Sequence, residues 1–394
     1  MKRIIALVLA LCMLLTFAAC KKGGEDKDKD KDANKGSSSV NKADDIPDTC
    51  ESKDGKYVIA MVTDVGQLKD KSFNQGTWDG VKLYANKNGK TYKYYQPANG
   101  DKATDDDRFA AFEAAISGGA EIIVTPGFLQ EKALTKAAEK YPDTKFVFID
   151  GYVLKDSTGK ELKNIAAVSY HEEQCGYMAG YAAVVEGYTK LGFSGGGGGT
   201  NPAVNRYGYG FVQGIQDAAK ANGVKAEVNF SFLYGEQYSA STELQTMLNG
   251  WYTNGIQCVF ACGGSMCNSA FAAAGGNNGV TIGVDCDQSQ DSETVITSAM
   301  KGLAPTVKTV LSAISADKWA DFGGKIETLG LVSENPDDNY VQIPMESTQW
   351  SDGFTKDDYK TLVSAMFKGD IKVDNSIEAM PKTEIKVETF GNIL

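Results

Sequence analysis

Short apolar segments rich in β-branched and aromatic residues alternate with helix-patterned segments along most of this chain, and the alternation runs twice. In the first run, strand patterns at 57–62, 92–96, 121–126, 145–150 and 165–168 are separated by helical patterns at 72–86, 106–118 and 130–141. A helix at 171–188 follows, carrying Gly176, Ala179, Gly180 and Ala182. The second run has strand patterns at 190–194, 225–232, 256–261, 280–284 and 294–299, and helical patterns at 207–222, 239–254, 268–274 and 305–316. Strand patterns at 325–332 and 340–343 and a helix at 356–368 complete it. Residue spacing of about two against 3.6 separates the two kinds of segment. Strands divided by helices form parallel sheets with right-handed crossovers, so the expected fold class is α/β. Two runs, each about half of 394 residues that are 42% hydrophobic, predict two lobes with full cores.

The amino terminus is of another kind. Lys2 and Arg3 precede an apolar segment at 4–17, too short to span a bilayer securely. Ala18-Ala19-Cys20 follows, with small residues placed as in a lipobox, although Phe17 stands where leucine is usual. This predicts a secretory signal over 1–20, with Cys20 lipid-modified; the alternative is ordinary cleavage and a free Cys20. Residues 21–54 carry Lys-Asp repeats and Gly36-Ser37-Ser38-Ser39, with little to bury, and read as a disordered tether. The protein is therefore expected on the extracytoplasmic face of the cell membrane, touching it through the lipid alone. The net charge of −11 disfavours nucleic acid and anionic lipid surfaces as partners.

One histidine, His171, leaves no room for most Ser-His-Asp or Cys-His schemes or for histidine-rich metal sites. Beyond the leader stand Cys50, Cys175, Cys258, Cys262, Cys267 and Cys286. The last four are not spaced as paired Cys-x-x-Cys; disulfides, free thiols and a metal remain open. No cofactor is called for.

Function should gather at the strand ends, where open α/β sheets bind ligands. The turn from Thr63 through Asp64, Val65, Gly66 and Asp70 to Phe73 and Asn74 joins the first strand to the first helix. It offers a carboxylate, an aromatic face and an amide, a set suited to a planar, hydrogen-bonding ligand. Pro126, Asp150, Gly195, Gly264 and Asp285 also follow apolar strands, and a cleft between lobes would face these ends together. Against this, Phe73 and Tyr234 could be core, and Asp150 and Asp285 could be helix caps. The run from Gly195 to Gly199 is not followed by Gly-Lys-Ser/Thr, so we read it as a strand–helix turn rather than a phosphate cradle.

These motifs carry a resemblance. Asp64-Val65-Gly66 with Asp70-Lys71-Ser72-Phe73-Asn74-Gln75 resembles the first-strand signature of the basic membrane protein family, the substrate-binding lipoproteins of ABC transporters that include bacterial purine nucleoside receptors. Similar to that family, in order, are Phe146-Val147-Phe148-Ile149-Asp150, Glu172-Glu173-Gln174-Cys175-Gly176, Asn205-Arg206-Tyr207-Gly208, Gly283-Val284-Asp285-Cys286-Asp287-Gln288 and Thr297-Ser298-Ala299-Met300-Lys301. The resemblance spans roughly 57–314. It implies a type I periplasmic binding protein, with two parallel-sheet lobes and a three-strand hinge. The implied lobes are 55–168 with about 288–322, and 169–287 with about 323–394. It also implies a monomer that is no enzyme and delivers a nucleoside to a permease and its ATPase.

Carried over by residue, the resemblance places the base between Phe73 and Tyr234, the latter standing where phenylalanine is usual. Tyr207 adds an aromatic wall. Asn74 and Asp150 read the base edge, and Asp285 and Lys301 hold ribose hydroxyls near the Gly264 backbone. Asp64 completes the polar rim. The alternatives are the same fold binding a sugar or furanose signal, and an extracytoplasmic nucleoside-processing enzyme. The dense aspartate segment that such an enzyme needs is missing from the sequence.

Overall fold

The computed structural model describes residues 42–65 and 67–391; the leader, Cys20 and most of the tether lie outside the described residues. The first stretch contains β1 (Ile59–Val62), α1 (Phe73–Lys87), β2 (Tyr92–Tyr95), α2 (Asp105–Ser117), β3 (Ile122–Pro126), α3 (Glu131–Lys140), β4 (Lys145–Ile149) and β5 (Ile165–Tyr170). Then come α4 (Glu172–Val185), β6 (Lys190–Gly195), α5 (Pro202–Asn222), β7 (Glu227–Ser231), α6 (Thr242–Thr253), β8 (Cys258–Cys262), α7 (Cys267–Asn277) and β9 (Val280–Asp285). The last elements are β10 (Val295–Lys301), α8 (Leu303–Ser315), α9 (Trp319–Phe322), β11 (Ile326–Leu329), β12 (Val341–Gln342), α10 (Lys356–Lys368) and β13 (Lys386–Phe390).

Two sheets result. The first has the order β11-β5-β4-β3-β1-β2 and is parallel throughout. The second has the order β12-β10-β9-β8-β6-β7-β13, with only β12 antiparallel. Central strands such as β1, β3 and β8 are buried at every position, as strands covered by helices on both faces must be. Helices α4 and α5 pack backbone to backbone: a Cβ on Gly176 or Gly180 would strike α5 at Tyr207 or Phe211, and one on Gly210 or Gly214 would strike α4 at Glu173 or Tyr177. The small-residue pattern read at 171–188 is this contact surface.

The chain passes between the sheets after β5, after β10 and after β11. The crossings are hydrogen-bonded side by side: His171 N donates to Leu329 O at 2.9 Å, and Gly302 N to Tyr340 O at 2.7 Å. This is the type I periplasmic binding protein fold. Two lobe boundaries differ from the sequence-based expectation. Strand β10 belongs to the second sheet, because Ser298 and Ala299 pair with Gly283 and Val284 of β9 and hold it there until Lys301. Strand β11 belongs to the first sheet, paired to β5 through Ile326 and Ala167. Strand β13 was not anticipated. Its Lys386-Val387-Glu388-Thr389-Phe390 is an edge strand beside β7, with little apolar pattern to betray it.

The tether also ends sooner than expected. Ile46 is buried, Tyr92 donates to Pro47 O at 2.7 Å, and Trp78 Nε1 donates to Asp48 at 3.1 Å. Lys82 on α1 is almost wholly enclosed and needs anionic partners; it finds Asp48 at 3.1 Å and Ala43 O at 3.0 Å. The six cysteines within the described residues are free thiols, four of them buried.

Candidate functional site

The strand ends of the two sheets meet across a cleft of about 610 Å³, counted out to its open mouth. Its walls include Asp64, Phe73, Asn74, Asp150, Tyr207, Gly264, Asp285 and Lys301. These are eight of the nine ligand-binding residues expected from the sequence. Tyr234 is the exception. It is 46% exposed and lies in a separate shallow depression with Leu233, Met247 and Phe390. The ring that enters the cleft from the same loop is Tyr238.

Glycines explain this exchange. A Cβ on Gly196, Gly197, Gly263 or Gly264 would collide with Tyr238, so the glycine-rich ends of β6 and β8 form a slot for its ring. Gly197 and Gly263 have φ of 74° and 140°, which favour glycine as well. Asn201 Nδ2 donates to the Tyr238 hydroxyl at 2.9 Å and fixes it. Within the run from Gly195 to Gly199, Gly196 and Gly197 thus seat Tyr238, while Gly195 and Gly199 approach Phe232. Facing glycine pairs on neighbouring strands were the available signal for it.

In the first lobe Asp70 organises the turn between β1 and α1. Its Oδ1 accepts from Ser72 N at 2.9 Å and Gln75 N at 3.1 Å, and its Oδ2 from Asn74 N at 3.0 Å. These satisfy amides at the start of α1 that the helix leaves unpaired. Asn74 is committed to the same loop: its Oδ1 accepts from Asp64 N at 3.1 Å and its Nδ2 donates to Val65 O at 2.9 Å. The amide expected to read a base edge thus also shapes the turn. Asp150 just after β4 and Asp285 at the end of β9 have φ of 54° and 64°, a left-handed conformation that aspartate tolerates better than most residues. Neither caps a helix.

At the hinge these aspartates converge on one cation. Lys301 Nζ lies 2.5 Å from Asp150 Oδ2 and 3.6 Å from both Glu172 Oε1 and Asp285 Oδ1. It also sits 4.6 Å from the centre of the Phe73 ring. Glu172 is shared with Arg206, whose Nε is 2.6 Å away. Asp285 accepts from Ser72 Oγ at 2.5 Å and from the Tyr207 hydroxyl at 3.2 Å. Glu172, Arg206 and Asp70 all stand in motifs read from the sequence, yet only the fold reveals that they bear on the site.

Burial sets the electrostatics. It pushes the Asp64 carboxyl up to about 7 against the pull of Arg108, and Asp70 up to about 6. It also raises Asp150 to about 6 although Lys301 opposes it. Burial would pull Lys301 down, but Asp150, Asp285 and Glu172 outweigh it and hold the ammonium well above its usual range. Asp64 Oδ1 and Asp150 Oδ1 are buried acceptors without a partner, on residues that line the cleft. Among the described residues no group of three or more His, Cys, Asp or Glu side chains is arranged to hold a metal ion.

A pH dependence follows. The folded pKa of Asp64 lies above its unfolded value of 3.8. Its contribution to stability is complete below about pH 4 and is lost as pH rises through about 7. We expect the melting temperature of the ligand-free protein to fall between pH 5 and pH 7.5. Asp64→Asn should flatten that fall and stabilise the protein by about 1 kcal/mol or more at pH 7.5. Thermal denaturation across this range checks it; an unaltered slope would mean Asp64 ionises freely.

Sheets that present their strand ends to a shared cleft, crossed three times by the chain, define a two-lobed solute-binding protein. The chain belongs to the Bmp family, described as ABC transporter substrate-binding protein PnrA-like, which it matches over residues 57–377. It is 27% identical over 295 residues to the ABC transporter nucleoside-binding protein BmpA of Lactococcus lactis, covering 69% of this chain and 78% of that one. It is 30% identical over 128 residues to an uncharacterized lipoprotein of Pyrococcus abyssi, covering 32% of this chain and 30% of that one. In fold it is similar to an ABC transporter solute-binding protein of Aeropyrum pernix, with a TM-score of 0.60 and 22% identity over 80% of this chain and 87% of that one. No helix among the described residues is long and apolar enough to cross a membrane.

Proposed function

We propose that this protein is the extracytoplasmic receptor of an ABC importer and captures a nucleoside, with a purine base, between its lobes. The observation that carries the reading is the composition of the cleft. Flat rings from both lobes, Phe73 and Tyr238, share it with the Asp285–Lys301 pair and with the unpartnered oxygens of Asp64 and Asp150. A base offers π-faces to such rings, and each stacked partner contributes about 1–3 kcal/mol. Asp64 and Asp150 accept from the polar edge of the base. Asp285 accepts from a ribose hydroxyl and Lys301 donates to another, with the Gly264 backbone alongside. Tyr207 closes the wall and Tyr238 takes the part first given to Tyr234. The name of the Lactococcus relative, a nucleoside-binding protein, supports the same ligand class.

In the cleft Asp150 and Asp285 pair with Lys301, and Asp70 is bonded to the turn that follows β1. Under this reading the site retains a nucleoside and releases it unchanged. In this reading the protein works as a monomer, held to the membrane by a lipid on Cys20, and hands its ligand to a permease driven by an ATPase. Calorimetric titration with inosine, followed by chromatography of the mixture, tests the reading. Saturable binding with inosine recovered intact is expected; free hypoxanthine would mean an enzyme, and heat with ribose alone would mean a sugar receptor. Phe73 is only half-buried, so Phe73→Ala should weaken inosine binding about tenfold or more while leaving the melting temperature nearly unchanged. Equal losses in binding and stability would make Phe73 a core residue.

A further inference from the structure

The segment after β9 carries a glutamine that the cleft does not use. Gln288 is fully buried and does not line the cavity. Its Oε1 accepts from Val284 N at 3.0 Å, and its own N donates to Ser298 Oγ at 3.1 Å, so the second lobe fixes the side chain rigidly. Its Nε2 then reaches across and donates to the Lys71 carbonyl of the first lobe at 2.7 Å. Three residues on, Asp291 Oδ1 pairs with Lys71 Nζ at 2.9 Å. Next to them Cys286 Sγ donates to Ser72 O at 3.3 Å.

Lys71 is an unusual residue to be held in this way. Its φ is 60°, a left-handed conformation costly to a lysine and retained only where surrounding bonds enforce it. Two of those bonds come from the other lobe. The residues that follow are Ser72, bonded to Asp285, and Phe73, whose ring faces the cleft. The conformation of Lys71 thus fixes the direction in which the ligand loop enters the cleft.

We propose that Gln288 and Asp291 are positioning residues: a latch from the second lobe that holds the ligand loop of the first in its binding conformation, without touching the ligand. The chemistry is a buried amide-to-carbonyl bond backed by a half-exposed ion pair, so occupancy of the cleft and conformation of the loop become coupled. The consequence for affinity rests on the nucleoside reading above; the latch itself does not.

Hydrogen exchange on the ligand-free protein tests the latch first. In Gln288→Met, which keeps the volume and removes the donor, amides at 67–76 should exchange about tenfold faster, while those of β1 and β9 keep their rates. Asp291→Asn, a surface change that leaves the core untouched, should give the same pattern at about threefold. Inosine should then dissociate about tenfold faster from Gln288→Met than from the unaltered protein. Unchanged exchange at 67–76 in both variants, or a uniform rise along the chain in both, would overturn the latch. If the unaltered protein binds no inosine, the nucleoside reading fails while the exchange pattern still decides the latch.

Discussion

Lys301→Met is expected to destabilise the protein by about 3–5 kcal/mol, because it strips the cation from a buried acidic cluster. Asp150, Glu172 and Asp285 all lie within 3.6 Å of the ammonium and are almost completely enclosed. Arg206 reaches only Glu172, so Asp150 and Asp285 would keep no cation within pairing distance. Methionine restores the volume but none of the charge. The loss should be largest near pH 7.5 and shrink towards pH 5, because Asp150, already pushed to about 6 by burial, can then escape its charge by taking a proton. Urea denaturation at the two pH values measures this. A loss below about 1 kcal/mol at pH 7.5 would show that water, rather than Lys301, supports these carboxylates.

Asp285→Ala is expected to weaken nucleoside binding by more than about 2 kcal/mol, the worth of charge-assisted hydrogen bonds that a neutral side chain cannot replace. Its Oδ1 meets the Tyr207 hydroxyl at 3.2 Å and Lys301 at 3.6 Å, distances loose enough for a ribose hydroxyl to become the better partner. Its Oδ2 is tied to Ser72 across the cleft, so Asp285→Ala also loosens closure. Ser72→Ala removes that tie alone and separates the two effects. If calorimetry finds Asp285→Ala unchanged in affinity, the ribose assignment falls. If Ser72→Ala loses as much, Asp285 acts on closure rather than on the ligand.

Much of the architecture was legible in the chain. Strand patterns such as Phe146-Val147-Phe148-Ile149 are continuous because the sheets are covered on both faces, and the acids that follow them sit at strand ends by topology alone. Lobe membership near the hinge was not legible. The periodicity of β10 and β11 reports that they are strands, but pairing with β9 and β5 decides which sheet takes them. Strand β13 escaped because an edge strand needs little apolar pattern, and residues 43–50 because their order depends on Lys82, a charge whose burial is a tertiary fact.

The site divides along the same line. Phe73, Asp150, Asp285 and Lys301 were expected at one site from the sequence, and they converge in the cleft. Tyr234 and Tyr238 are indistinguishable by type; only the glycine slot from β6 and β8 selects the second. Asn74 lines the cleft, and only its bonds to Asp64 N and Val65 O reveal that it also shapes the turn.

The central claim is that the two lobes close on an intact nucleoside. Its most direct test is mass spectrometry of the small molecule released when protein purified from its own cells is denatured. The account predicts one purine nucleoside per chain, base and ribose still joined. A sugar, a free base, or an empty cleft that also fails to retain added inosine would contradict it.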